Sequence, residues 1–239
     1  VSVSEAISAV DHVMNEKGTV IFDLDGTLVD SAPDLANSLN VVLEEYGRSR
    51  LSECEVRNMI GHGVGELVRA ALSSDNNFSQ EPLIDTAIVR FRCLYSRNLS
   101  KHSTVYPNTA STLAILKQEG WRLVVCTNKI EGSARKVLRE FQLLDFFDDV
   151  VGPDTYGVSK PNPEHLQKCI SDKWASLPTI MVGDSEVDCA AAKAAGFPMV
   201  LVDWGYNKGR LPELAPNFVL SDIREIHQIL DKISSNYSK

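Results

Sequence analysis

Short apolar runs recur along this chain, and each breaks off into polar residues. They are TVIF at 19–22, LVVC at 123–126, DDVV at 148–151, TIMV at 179–182, PMVLV at 198–202 and NFVL at 217–220. Runs of this length suit strands covered on both faces. Amphipathic helical stretches separate most of them. Strands alternating with helices predict an α/β fold on a parallel sheet.

The helices carry their own punctuation. Pro107 opens one that stops before Gly120, with Ala110, Leu113 and Leu116 as its buried stripe. The segment AAAKAAG at 190–196 predicts a helix that approaches its neighbours closely. One interval breaks the rhythm: about 95 residues between the first two runs hold helical patterns and no clear strand. Leu35, Leu39, Val42, Leu43 and Tyr46 share one face. Ser52 and Glu55 form a capping-box pattern. Ile84, Ile88, Phe91, Leu94 and Tyr95 recur at helical spacing over 81–99. The reading is a Rossmann-like parallel-sheet core, residues 1–30 and 105–239, with an inserted all-helical cap domain at 31–104.

Composition excludes several classes. The 239 residues are 44% hydrophobic, enough for a real core, and carry a net charge of -8, which argues against broad nucleic-acid binding. No run approaches the ~18 apolar residues of a membrane span. The first eighteen residues lack a signal-peptide core, so a cytoplasmic location is expected. Five scattered cysteines, Cys54, Cys93, Cys126, Cys169 and Cys189, predict reduced and mostly buried thiols.

The chemistry collects where the strands end. Asp23 and Asp25 follow TVIF, Thr127 and Asn128 follow LVVC, Lys160 lies in the loop after DDVV, and Asp184 and Asp188 follow TIMVG. In parallel α/β sheets, ligands bind beyond the carboxyl ends of the strands. Singly, each feature has an ordinary reading: a turn at Asp25-Gly26, a strand-ending turn at Thr127-Asn128, a solvated Lys160, an acidic helix start at Asp184–Asp188. Those readings must all hold together, each after a different strand. Four aspartates gathered in one crevice instead call for a hard cation such as magnesium. Lys160 offers a point charge to a phosphate oxygen and lowers the pKa of a neighbouring carboxylate. Thr127 and Asn128 offer a hydroxyl and an amide. These are the parts of a phosphoryl-transfer site. One aspartate attacks phosphorus, and the other, two residues away, moves protons, with Gly26 turning the chain between them.

DLDGTLVDS, the Thr-Asn pair, KPNP and GDSEVD together resemble the haloacid dehalogenase-like superfamily, in its phosphatase branch. The motifs occur in the family's order across the chain. The resemblance implies a magnesium-dependent hydrolase with Asp23 as nucleophile and Asp25 as general acid and base. It implies that Thr127 and Lys160 bind the phosphoryl group. Asp23, the backbone carbonyl of Asp25 and Asp184 would ligate the metal, with Asp188 in support. The family's helical cap corresponds to 31–104.

IGHGVGELVRAAL, KPNPEHL, GDSEVDCAAAKAAG and GYNKG look like bacterial phosphoglycolate phosphatases. That implies a small phosphorylated metabolite as partner, 2-phosphoglycolate above all, in carbohydrate metabolism, with the enzyme a monomer or homodimer. His62 stands where the pattern has asparagine. Gly61, His62 and Gly63 make either a plain helix-to-helix turn or a backbone surface facing the substrate. Arg57 and Arg69 are candidates to meet a substrate carboxylate. His12, His102, His165 and His227 have no catalytic partner in the sequence. The competing readings are a pyrophosphatase of the same family, a sugar phosphomutase and a non-enzymatic regulator.

Overall fold

The structure, a computed structural model, describes residues 16–73, 81–206 and 211–237. In chain order the strands are β1 (Gly18–Phe22), β2 (Val29–Asp30), β3 (Thr104–Val105), β4 (Trp121–Cys126), β5 (Asp149–Val151), β6 (Thr179–Gly183), β7 (Met199–Val202) and β8 (Phe218–Leu220). Six of them form a sheet in the order β5-β4-β1-β6-β7-β8. Every neighbouring pair in it is parallel. All six apolar runs read from the sequence therefore became strands of one sheet.

The strand order explains where a ligand can sit. From β1 the chain builds outward through β4 and β5, then returns to the other side of β1 with β6. The β1–β6 boundary is the switch point, where the connections diverge and leave a crevice beyond the strand ends. Every residue of β1 and β6 is buried. Such strands have no solvent face, which is why they read as unbroken apolar runs.

Four helices fill the interval after β2: α1 (Ala32–Glu45), α2 (Glu53–Arg57), α3 (Val64–Ser73) and α4 (Glu81–Tyr95). Leu35, Leu39, Val42 and Leu43 are buried along α1, as their spacing required. Ser52 caps α2 in a complete capping box with Glu55. Ile84, Ile88, Phe91 and Tyr95 are buried on α4, with Leu94 partly so. The helix stops at Tyr95, short of the expected Leu99.

The interval is not free of strand. β2 and β3 pair antiparallel, Val29 with Val105 and Asp30 with Thr104, where the chain leaves and re-enters the core. Two-residue strands are too short to show any period, so the sequence carried no signal for them. Asp34, buried at the start of α1, joins the same two crossings. Its carboxylate accepts from the His102 and Ser103 amides at 2.8–3.0 Å and from Ser103 Oγ at 2.7 Å. Replacing it leaves buried donors without an acceptor, at about 1–3 kcal/mol each. Asp34→Ala is expected to lower unfolding stability by about 2–4 kcal/mol, measured by urea denaturation.

In the core, α5 (Thr109–Gln118) follows β3, α6 (Glu131–Glu140) follows β4, α7 (Pro153–Tyr156) and α8 (Pro163–Gln167) follow β5, and α9 (Glu186–Ala195) follows β6. One expectation about α5 needs correction. Its buried stripe is Thr109, Thr112, Leu113 and Leu116, and Ala110 is exposed. Positions 109, 112, 113 and 116 are an i, i+3, i+4, i+7 set, and a residue one step along is rotated away from it. On α9, Ala191 and Ala192 are fully buried. No two cysteines are bonded, and Cys126, Cys169 and Cys189 are buried. Among the described residues no helix is long and apolar enough to cross a membrane.

Candidate active site

The strand ends deliver their side chains to one crevice. Asp23 leaves β1 and Asp184 leaves β6, on either side of the switch point. Asp188 comes from the first turn of α9. The three carboxylates are buried, with one oxygen from each lying within 4.8 Å of the others. Lys160 meets them from the loop after β5. Its Nζ lies 2.9 Å from Asp23 Oδ1 and 2.7 Å from Asp188 Oδ1, and it donates to the Cys126 carbonyl at 2.8 Å.

Asp188 has two jobs. Its Oδ2 accepts from the Ser185 amide and hydroxyl at 3.0 and 2.6 Å, closing the capping box that starts α9. Its Oδ1 holds Lys160. The residue thus starts the helix, as the plain reading has it, and also reaches the lysine of the carboxylate cluster. Both of its oxygens are engaged, one on Lys160 and one on Ser185.

Two glycines make room for Asp184. A Cβ on Gly205 would lie 2.2 Å from the Asp184 Cβ. Gly26 has φ +87°, and a Cβ there would lie 2.4 Å from Asp184 Oδ2. The sharp turn after Asp25 thus serves Asp184 as well. The amide of Tyr206 donates to that oxygen at 2.7 Å, and Thr27 Oγ1 to Oδ1 at 3.3 Å.

The electrostatics run against one expectation. Lys160 does pull the Asp23 carboxyl down, but burial outweighs it, and Asp188 adds to the rise. The net effect pushes Asp23 up to about 6. Burial, then Asp188 and Asp23, also hold Asp184 well above the ordinary carboxylate range. For Lys160, burial favours the neutral amine, yet Asp188 and Asp23 more than offset it and keep the ammonium charged. One ammonium faces three carboxylates, and Asp23 Oδ1 is buried against it at 2.9 Å. An all-oxygen donor set with more negative charge than one lysine offsets fits a hard divalent cation.

A thermal prediction follows. An acid whose folded pKa is raised stabilises the protein below its unfolded value and loses that contribution as pH rises through the folded one. For Asp23 the window runs from 3.8 to about 6. Protein in chelator should therefore lose this contribution across that window, and magnesium should restore stability above it. At 100-fold over Kd the gain is about 2.7 kcal/mol, or roughly 5–10 °C in Tm for a chain of this size. Melting curves at about pH 5 and about pH 8, with magnesium or chelator, check it. Asp184→Asn should abolish most of the magnesium gain.

Asp25 faces elsewhere. Its carboxylate accepts from Lys129 Nζ at 2.6 and 2.7 Å and from Ser31 Oγ at 2.6 Å. It is not one of the three clustered carboxylates. Asp23, Asp25, Thr127, Asn128 and Lys129 line one small cavity together with Gly61 and Gly63 of the insert. The Thr127 hydroxyl oxygen accepts from the Lys129 amide at 3.2 Å, which leaves its own proton to donate.

Asn128 departs from expectation. Its amide nitrogen donates to the Gly61 and Lys160 carbonyls at 2.9 and 3.0 Å, and its oxygen accepts from the Lys160 amide at 2.9 Å. No amide hydrogen is left for a phosphate oxygen. The side chain instead staples the insert's glycine turn and the lysine loop to the end of β4. Gly61-His62-Gly63 is the turn between α2 and α3 and also lies over the site. His62 Nε2 lies 3.5 Å from Glu186 at the start of α9.

The two arginine candidates are engaged by carboxylates. Arg57 pairs with Asp30 and Glu53, each at 2.7 Å, and lies over the Tyr206 ring. Arg69 lies 3.7 Å from Glu66. Of the histidines, His165 is fully buried, His102 is exposed, and His227 pairs with Glu119. His12 lies outside the described residues, as do the last three residues of GYNKG.

Sequence reasoning missed Lys129 and Tyr206. Lys129 is buried, its charge sustained against burial by Asp25 and Tyr95. A lysine directly after the Thr-Asn pair, at the same sheet edge as every other candidate, was the available signal. The Tyr206 hydroxyl accepts from the Ser31 and Ala32 amides at 2.9 and 3.2 Å. It links the entry to the insert with the backbone that holds Asp184.

The family model for haloacid dehalogenase-like hydrolases matches residues 20–202. A phosphoglycolate phosphatase from Rhodospirillum rubrum is 39% identical over 212 residues, covering 87% of this chain and 88% of its own. One from Nitrosococcus oceani is 34% identical, covering 92% and 99%. The crystal structure of a predicted phosphoglycolate phosphatase from Haemophilus somnus superposes with a TM-score of 0.81 at 31% identity, covering 90% of this chain and 99% of that one. With its strand-end carboxylates and lysine on the expected sheet edge, this chain belongs to the haloacid dehalogenase-like hydrolases and, within them, resembles the phosphoglycolate phosphatases.

Proposed function

We propose that the chain hydrolyses small phosphate monoesters through an aspartyl-phosphate on Asp23, with 2-phosphoglycolate as its substrate. The observation that carries this is the division of labour between two aspartates. Asp23 sits among Asp184, Asp188 and Lys160, whereas Asp25, two residues on, faces Lys129 and Ser31. Both line one cavity with Thr127. An attacking carboxylate and a proton carrier are thus kept apart yet both reach the same bound group.

In this reading a carboxylate oxygen of Asp23 attacks phosphorus and the bond to the leaving oxygen breaks. Asp25 gives that oxygen its proton. Asp25 then takes a proton from water, which attacks the acyl phosphate. The phosphorus–Asp23 bond breaks, and phosphate leaves. Lys160 and the Thr127 hydroxyl hold phosphoryl oxygens. Asp23, the Asp25 carbonyl and Asp184 would hold magnesium, which when bound neutralises charge on the phosphoryl group. Asp188 keeps Lys160 in place. Residues 31–104 act as a cap that excludes bulk water, with Gly61, His62 and Gly63 over the substrate.

The relatives' names support the substrate, and the donor set supports the metal. The test is phosphate release with and without magnesium, across 2-phosphoglycolate, other small esters, a sugar phosphate and pyrophosphate. Stoichiometric release from 2-phosphoglycolate at the highest kcat/KM is expected. Preference for pyrophosphate would reassign the substrate, and return of phosphate to a sugar would make the chain a mutase.

A further inference from the structure

A second cavity, of about 470 Å³, adjoins the reacting one and shares Gly63, Val64, Asn128 and Lys129 with it. It lies between α3 and α4 of the insert and the loops after β4 and β5. Its lining is unusual for a chain of net charge -8. Among the described residues no aspartate or glutamate lines it, while Lys129 and Arg92 both do. Arg92 stands one turn before Tyr95 on α4, with its side chain exposed. It has no ion-pair partner among the described residues, unlike Arg57 and Arg90, each given to a glutamate. The Lys129 ammonium lies 5.0 Å from the centre of the Tyr95 ring, and that ring lines the cavity together with both cations.

We propose that this cavity receives the leaving-group end of the substrate and that this end is anionic, met by Lys129 and Arg92. The inference rests on the phosphatase reading and deepens it. Asp25 must reach the leaving oxygen, and Lys129 is bonded to Asp25, so the leaving group enters the space that Lys129 also borders. An anion there would share Lys129 with Asp25 and find Arg92 uncommitted. The work first sought in Arg57 and Arg69 falls to these two residues. The volume is far larger than a two-carbon acid needs, so the cavity selects charge more than size. A carboxylate and a second phosphate present the same chemistry to it.

The experiment compares kcat/KM for 2-phosphoglycolate, ethane-1,2-diol bisphosphate and ethyl phosphate, which share two carbons but differ in the far group. The parent enzyme is expected to prefer both anionic esters, or the carboxylate alone if the site is tuned to it. Arg92→Gln should lower that preference by about ten- to a hundredfold, through KM for the anionic esters. Lys129→Met should lower it too, and Lys129→Arg should restore part of it. Circular dichroism and melting curves would show whether the Lys129 variants fold, and exposed Arg92 gives an independent arm. Equal kcat/KM for neutral and anionic esters in the parent, or an unchanged ratio in Arg92→Gln, would overturn the proposal while leaving the phosphatase reading intact. No hydrolysis of any ester would instead sink that reading and this one with it.

Discussion

Asp23→Asn is expected to release no phosphate from any ester while folding at least as well as the parent. Loss of a nucleophile outright costs on the order of 10⁶-fold in a hydrolase. The amide keeps the shape of the side chain and cannot form the acyl phosphate. Its effect on the fold has the opposite sign. Three buried carboxylates face one ammonium, and burial with Asp188 makes the charged form of Asp23 costly. Removing that charge relieves repulsion, so the variant should melt at or above the parent's temperature in chelator. Mass spectrometry after a quench in acid should find phosphate on the parent and none on the variant. Turnover at the parent rate would move the nucleophile elsewhere.

Asp25→Asn should cost about 10²–10⁴-fold in kcat, the usual worth of positioned proton transfer. The loss should depend on the leaving group. p-Nitrophenolate departs without a proton, so its ester still phosphorylates Asp23. Hydrolysis of the acyl phosphate still lacks its base. A burst of nitrophenol, stoichiometric with enzyme, followed by slow turnover is the expected trace. 2-Phosphoglycolate, with a poor leaving alkoxide, should give no burst. Equal losses on both esters without a burst would leave Asp25 the lesser role of anchoring Lys129, to which it is bonded at 2.6 Å.

The substitutions divide the site into parts with separate signatures. In the proposed reading Asp23 carries the covalent step, Asp25 the protons, Asp184 the metal response, and Arg92 the choice among substrates. Asp34 bears on stability alone, since its carboxylate is spent on the two chain crossings at the base of the insert.

What could be read in the chain was whatever local physics controls. Strands buried on both faces must be apolar throughout, so β1, β4 and β6 announced themselves. Parallel strands place their carboxyl ends on one edge, so Asp23, Thr127, Lys160 and Asp184 were assignable to a common crevice before any contact was known. Helical spacing gave the buried faces of α1 and α4. Where the signal was one residue wide it slipped, as with Ala110, because a buried stripe is set by the neighbour it meets.

The tertiary structure alone decided which partner each polar group took. Asn128 carries an amide suited to phosphate, yet it faces Gly61 and Lys160 and spends its hydrogens there. Lys129 and Asp25 lie 104 positions apart, and the ammonium reaches both carboxylate oxygens. Lys160 lowers the pKa of Asp23, but only the depth of burial shows that desolvation wins. Spacing along a chain sets backbone direction and the face a side chain occupies. Hydrogen-bond partners and the local dielectric depend on which other segments arrive in the same few ångströms, and folding alone brings those together.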